Sequence, residues 1–121
     1  MYSGWELTES SKTKLKNMYP PKHPDFLGHH ITFMFGKGAT TPPQAKINLI
    51  GYCLTDKVEC FVAEVNGSMV RPDGGVYHLT WSIDKSKGAK PVHSNAAIEN
   101  NGFQHLDDPI EIITTPRIFS Y

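Results

Sequence analysis

Residues 46–65, KINLIGYCLTDKVECFVAEV, contain two runs of apolar and β-branched residues separated by Thr55 and Asp56. Runs of this kind are typical of β-strands, and a two-residue polar interruption suits a tight hairpin turn. The segment therefore predicts two antiparallel strands, over residues 46–54 and 57–65, that belong to the core of a sheet.

Further strand patterns lie on both sides of this hairpin. They are marked by alternation or by β-branched and aromatic residues, and turn-forming Gly, Pro and Asn residues separate them. The predicted strands cover residues 2–7, 29–36, 76–83 and 109–115. Strands therefore outnumber helices, which predicts an α+β fold with largely antiparallel pairing in a single domain over residues 1–121.

Two helices are expected between the strands. Thr8 can cap a helix over residues 9–19, which Pro20 ends because proline disfavours helical geometry in the residue before it. A second, shorter helix is predicted over residues 95–101, with Ser94 as its cap.

The composition limits the class of protein. Among the 121 residues, 12 basic side chains balance 12 acidic ones, which argues against binding long duplex nucleic acid through its phosphates. The chain has no secretory signal pattern and no apolar run of membrane-spanning length, so a cytoplasmic protein is expected. Cys53 and Cys60 lack the spacing of a zinc site and are expected to be buried, reduced thiols.

A short motif occurs twice, as HITF at residues 30–33 and HLTW at residues 78–81. Composition alone predicts roughly 0.07 His-x-Thr segments with apolar residues at the second and fourth positions, so coincidence is a poor explanation. Because side chains alternate along a strand, the His and Thr of each motif share one face and the apolar residues share the other. If an approximate twofold relates the strands, His30, Thr32, His78 and Thr80 line one groove.

Two imidazoles on opposite sides of a phosphate can catalyse in-line phosphoryl transfer. One removes the proton of the attacking hydroxyl and the other protonates the leaving oxygen, a division of labour that needs no metal or other cofactor. The threonine hydroxyls can donate hydrogen bonds to the non-bridging oxygens. The sequence leaves open which histidine is the base and which is the acid.

The paired motifs resemble the H-x-T-x signatures of the two-histidine (2H) phosphoesterase superfamily. The superfamily includes LigT-like RNA-cyclic-phosphate enzymes, cyclic phosphodiesterases, 2′,5′-oligoadenylate phosphodiesterases and compact phage enzymes that destroy immune cyclic nucleotides. The resemblance implies a small bilobal fold around a central cleft. It also implies His30 and His78 as the acid–base pair, Thr32 and Thr80 as phosphate binders, and a role in phage counter-defence within the host cytoplasm.

Other residues are candidates for binding the substrate. Tyr2 lies on the face of its strand opposite Trp5, where its ring could stack on a base. The polar loop after the second motif supplies three more candidates, Lys90, His93 and Asn95. His29 should point away from His30 along the strand, which predicts a structural role for it.

The expected function is hydrolysis of a small nucleotide or oligonucleotide with a cyclic, 2′,5′ or 3′,5′ phosphodiester. Two alternatives stay open, hydrolysis of 2′,3′-cyclic phosphates on RNA and binding of a nucleotide without turnover. Linkage, base preference and oligomeric state are not determined by the sequence.

Overall fold

The computed structural model describes residues 1–120 and shows one curled, fully antiparallel sheet with two α-helices. The strands are β1 (Tyr2–Leu7), β2 (Asp25–Phe26), β3 (His30–Phe35), β4 (Ile47–Leu54), β5 (Val58–Val65), β6 (His78–Ile83), β7 (Gln104–Ile112) and β8 (Thr114–Phe119). The helices are α1 (Glu9–Met18) and α2 (His93–Asn101), and a single 3₁₀ turn spans Lys85–Lys87. The expected α+β class with mostly strands is confirmed.

The sheet follows the order β7-β4-β5-β6-β3-β1-β8, with β2 added beside β6. The predicted hairpin of β4 and β5 is confirmed, and it occupies the second and third positions of this order. Successive residues of β5 point to opposite faces, so Phe61 joins one hydrophobic cluster and Cys60 joins another. Leu15 of α1 covers the first cluster, and Ile98 of α2 covers the second. A sheet covered on both faces explains why β5 is apolar along almost its whole length.

The two motif strands are neighbours, because β3 pairs with β6 through Ile31 and Leu79. Both of these side chains are fully buried in the first cluster. The alternation of each strand therefore turns its His and Thr side chains to the second face of the sheet. An approximate local twofold axis passes through the Ile31–Leu79 pair and relates the two antiparallel motifs. Each motif contributes to the pair the apolar residue between its His and its Thr.

Strand β1 lies close against β3 on the other side. Gly4 is opposite Thr32, and a Cβ atom at Gly4 would lie 2.2 Å from the carbonyl oxygen of Ile31. Only glycine allows this approach, because a contact with backbone cannot be relieved by rotating a side chain. The close approach brings the start of β1, with Tyr2, beside the first motif.

Three sequence predictions differ from the structure. The single strand expected over residues 109–115 belongs to two strands, β7 and β8, which lie at opposite ends of the strand order. The chain changes partner at Ile113, whose amide donates to the Ser11 hydroxyl in the first turn of α1. Ser94 does not cap α2 but lies inside it, and β6 begins at His78, two residues later than expected.

No helix within residues 1–120 combines the length and the apolar character that crossing a bilayer requires.

Candidate active site

A cavity of about 580 Å³ lies on the second face of the sheet, beside the N-terminal end of α2. All four motif side chains line it: His30, Thr32, His78 and Thr80. The pairing of Ile31 with Leu79 brings the two motifs together, because each of these residues lies between the His and the Thr of its motif.

A chain of polar contacts orients the His30 ring. Its Nδ1 atom lies 3.0 Å from Nδ1 of His29, and Nε2 of His29 lies 3.1 Å from a Glu6 carboxylate oxygen. The other Glu6 oxygen accepts a hydrogen bond from Nε of Arg117 at 2.7 Å. A carboxylate only accepts, so Nε2 of His29 carries a proton; when Nδ1 of His29 is unprotonated, it accepts from Nδ1–H of His30. This tautomer leaves a lone pair on Nε2 of His30.

The His78 ring reaches the same tautomer by a different contact. Its Nδ1 donates to the carbonyl oxygen of Val76 at 2.9 Å, since a carbonyl can only accept. Within residues 1–120, Nε2 of neither His78 nor His30 has a hydrogen-bond partner. Both rings thus keep Nε2 available for proton transfer to or from a bound molecule.

Both imidazoles resist protonation. Burial, with help from the neighbouring His29 and His78, lowers the pKa of His30 to about 4, while Glu6 opposes this shift. Burial also lowers the pKa of His78; the Val76 carbonyl favours its protonated form and the Arg71 guanidinium disfavours it. His30 is therefore neutral at pH 7 in the free protein.

The two threonines have different surroundings. Thr80 Oγ1 lies 2.8 Å from the Ser94 hydroxyl and also donates to the Pro91 carbonyl oxygen at 3.3 Å. Thr32 is buried and forms no side-chain hydrogen bond with residues 1–120. The Thr32 hydroxyl can therefore donate to a bound phosphate without breaking a contact, whereas Thr80 must first exchange one.

Three of the four expected substrate-binding residues line the cavity: Tyr2, Lys90 and Asn95. The Tyr2 ring lies 5.2 Å from the His30 ring and stacks on Phe119 at 4.9 Å between centroids. His93 is not among the lining residues, because its Nδ1 accepts a hydrogen bond from the Lys90 amide at the start of α2.

Sequence reasoning missed two ionisable residues of the cavity, His29 and Arg71. His29 precedes the first residue of β3, so the expected alternation does not apply and its ring meets that of His30. Arg71 occurs in the turn sequence RPDGG, which signals a bend and not a site. Its residue type alone could have indicated a functional role, because Arg71 is one of only two arginines in the chain.

The charged residues that line the cavity are basic. Arg71 and Lys90 line it together with three histidines, and none of its lining residues within 1–120 is acidic. Residues 1–120 contain no group of three or more His, Cys, Asp or Glu side chains placed to hold a metal ion. The arrangement therefore favours an anionic ligand.

Comparison of the chain with family models, curated proteins and solved structures found no match.

Proposed function

We propose that the protein is a metal-independent phosphodiesterase of the 2H type that hydrolyses a small nucleotide. The observation that carries this proposal is the meeting of two imidazoles, each with Nε2 unbonded, in one cavity without acidic lining residues. The proposal includes the fold of that superfamily, a small bilobal arrangement around a central cleft, with the neighbouring strands β3 and β6 where the lobes meet.

The roles of the two histidines follow from their surroundings. His30 is the general base, because a second imidazole at its Nδ1 and its low pKa keep Nε2 unprotonated. Its Nε2 takes the proton of the attacking hydroxyl or water as the new P–O bond forms. His78 is the general acid: burial lowers its pKa, but the Val76 carbonyl at Nδ1 opposes this shift, and its Nε2 protonates the leaving oxygen as the old P–O bond breaks.

The acid role of His78 depends on the bound substrate. An anion within about 4–6 Å of an imidazole favours the protonated form, so a phosphodiester between the rings raises the pKa that burial lowers. Thr32 and, after releasing a contact, Thr80 donate to the non-bridging oxygens, where charge accumulates in the transition state. Substrate binding thereby creates the protonation state that the reaction needs.

One observation favours a second candidate function, the binding of a nucleotide without turnover. Both imidazole pKa values are lowered, so the free cavity lacks a ready proton donor. A sponge for nucleotides needs the same cavity and the same cations but no acid. The two functions differ in whether wild-type protein forms product.

The proposal predicts an acidic optimum for kcat/KM, which reports the free enzyme. The base must lose its proton, so kcat/KM should rise with pH through about 4, the pKa of His30. The acid must keep its proton, so kcat/KM should fall again before pH 6.5, because the pKa of His78 lies below that ordinary value. The kcat profile should extend to higher pH, since bound phosphate raises both pKa values. A kcat/KM plateau from pH 7 to 9 contradicts this assignment.

The direct test of the function is a substrate panel with mass-spectrometric detection of products. The panel contains cyclic di- and trinucleotides, 2′,5′-oligoadenylates, 2′,3′-cyclic mononucleotides and RNA ending in a 2′,3′-cyclic phosphate. We expect turnover of at least one small nucleotide, at an unchanged rate in excess EDTA. Loss of turnover on chelation refutes the metal-independent mechanism, and binding without any product supports the sponge.

A further inference from the structure

The Arg71 side chain is a buried cation whose hydrogen-bonding capacity is only partly used. It is 7% exposed, and its Nε donates to an Asp73 carboxylate oxygen at 3.1 Å. Its two terminal amino groups have no hydrogen-bond partner within residues 1–120. Burying a charge with unpaired donors is costly, so a ligand group that accepts from them would be strongly favoured.

The turn at residues 71–75 holds this guanidinium in place. Arg71 and Gly75 pair through their backbones at 2.7 Å, and Asp73 accepts from both the Arg71 side chain and the Gly75 amide. A Cβ atom at Gly75 would lie 2.2 Å from an Arg71 amino group, so glycine leaves the space that the guanidinium occupies. On its other side the guanidinium lies over the Phe35 ring, 5.4 Å from its centroid.

Arg71 lies to one side of the motif histidines. It acts electrostatically on His78, but His30 responds to His29, His78 and Glu6 instead. Phe35, under the guanidinium, is the last residue of β3, three positions beyond Thr32. Arg71 therefore occupies the end of the cavity beyond Thr32 and His78, and the start of α2 occupies the other end.

We propose that Arg71 forms a second anion subsite, which binds a phosphate group next to the one held between His30 and His78. The substrate is then a nucleotide with at least two phosphates, such as a dinucleotide or cyclic dinucleotide. The cavity volume of about 580 Å³ suits a ligand of this class. This inference rests on the proposed function for the central phosphate, but the subsite itself is testable by binding alone.

The test compares the binding of adenosine 3′,5′-bisphosphate with that of adenosine 5′-monophosphate and 3′-monophosphate by titration calorimetry. Wild-type protein should bind the bisphosphate about 10- to 100-fold more tightly than either monophosphate. Arg71→Gln should abolish this preference and leave the monophosphate Kd values within about threefold of wild type. Equal weakening of all three compounds would place Arg71 on the central phosphate and overturn the subsite.

Two further variants keep the test independent of folding and of net charge. Gly75→Ala retains the arginine but displaces its guanidinium, so it should reduce the same preference. Lys87→Gln removes an exposed positive charge outside the cavity and should change nothing. No preference for the bisphosphate in wild-type protein, or a preference unaffected by both Arg71→Gln and Gly75→Ala, refutes the proposal. Because binding is measured, a failure to turn over any phosphodiester would refute only the proposed function.

Discussion

His30→Ala and His78→Ala should each lower kcat on the preferred phosphodiester by about 10²- to 10⁴-fold, the usual contribution of a positioned acid or base. The double variant should be little worse than either single one, because base and acid act in the same step. The measurement is initial-rate kinetics with the substrate identified from the panel.

Binding and folding should survive these substitutions. Both rings are half-buried and line the cavity, and their removal leaves the Ile31–Leu79 pair intact. His105→Ala is the matched control, since His105 lies on β7 away from the cavity and should retain wild-type activity. Wild-type rates in either motif variant would contradict the acid–base roles. Turnover lost together with all nucleotide binding would show that the substitution disrupts the cavity.

The largest loss of stability is expected from Glu59→Ala, at a buried position that does not line the cavity. The Glu59 carboxylate is fully buried and accepts from the Tyr52 hydroxyl, from Ser82 Oγ at 2.6 Å and from the Lys22 amide at 3.0 Å. One side chain thus joins β4, β5, β6 and the segment before β2. Burial and the Glu59 contact raise the pKa of Tyr52, so its hydroxyl stays a donor.

Removing this carboxylate leaves three donors without their acceptor, and one of them, the Ser82 hydroxyl, is fully buried. The free energy of unfolding should fall by about 3–5 kcal/mol, measured by urea or thermal denaturation, because each donor left unsatisfied costs about 1–3 kcal/mol. Glu64→Ala on the same strand, where the side chain is half-buried, should cost less than about 1 kcal/mol. A Glu59→Ala loss as small as that of Glu64→Ala would mean that water replaces the carboxylate.

Local patterns were enough for several parts of the fold. Alternation and residue type predicted β1 over the observed residues and the hairpin of β4 with β5. The Thr8 side chain accepts from the Ser11 amide and begins α1, as its capping chemistry indicates. These features depend on residues close together in sequence, which is why they are readable there.

Other features depend on distant neighbours. Ser94 has the chemistry of a helix cap, yet packing of α2 against the sheet places its hydroxyl on Thr80. Residues 109–115 look like one strand, but the Ile113 amide bonds to α1, and the chain pairs with β4 before this residue and with β1 after it. The pattern of polar and apolar residues along either segment indicates neither the position of Ser94 within α2 nor the change of strand partner at Ile113.

Strand alternation places His30 on one face with Thr32, and His78 with Thr80, because a β-strand alternates whatever its neighbours are. The position of β3 beside β6 and the approach of Arg71 to their cavity from a turn arise only in the folded chain. Strand pairing and loop placement depend on burial of apolar surface summed over the whole chain, and no short segment contains that information.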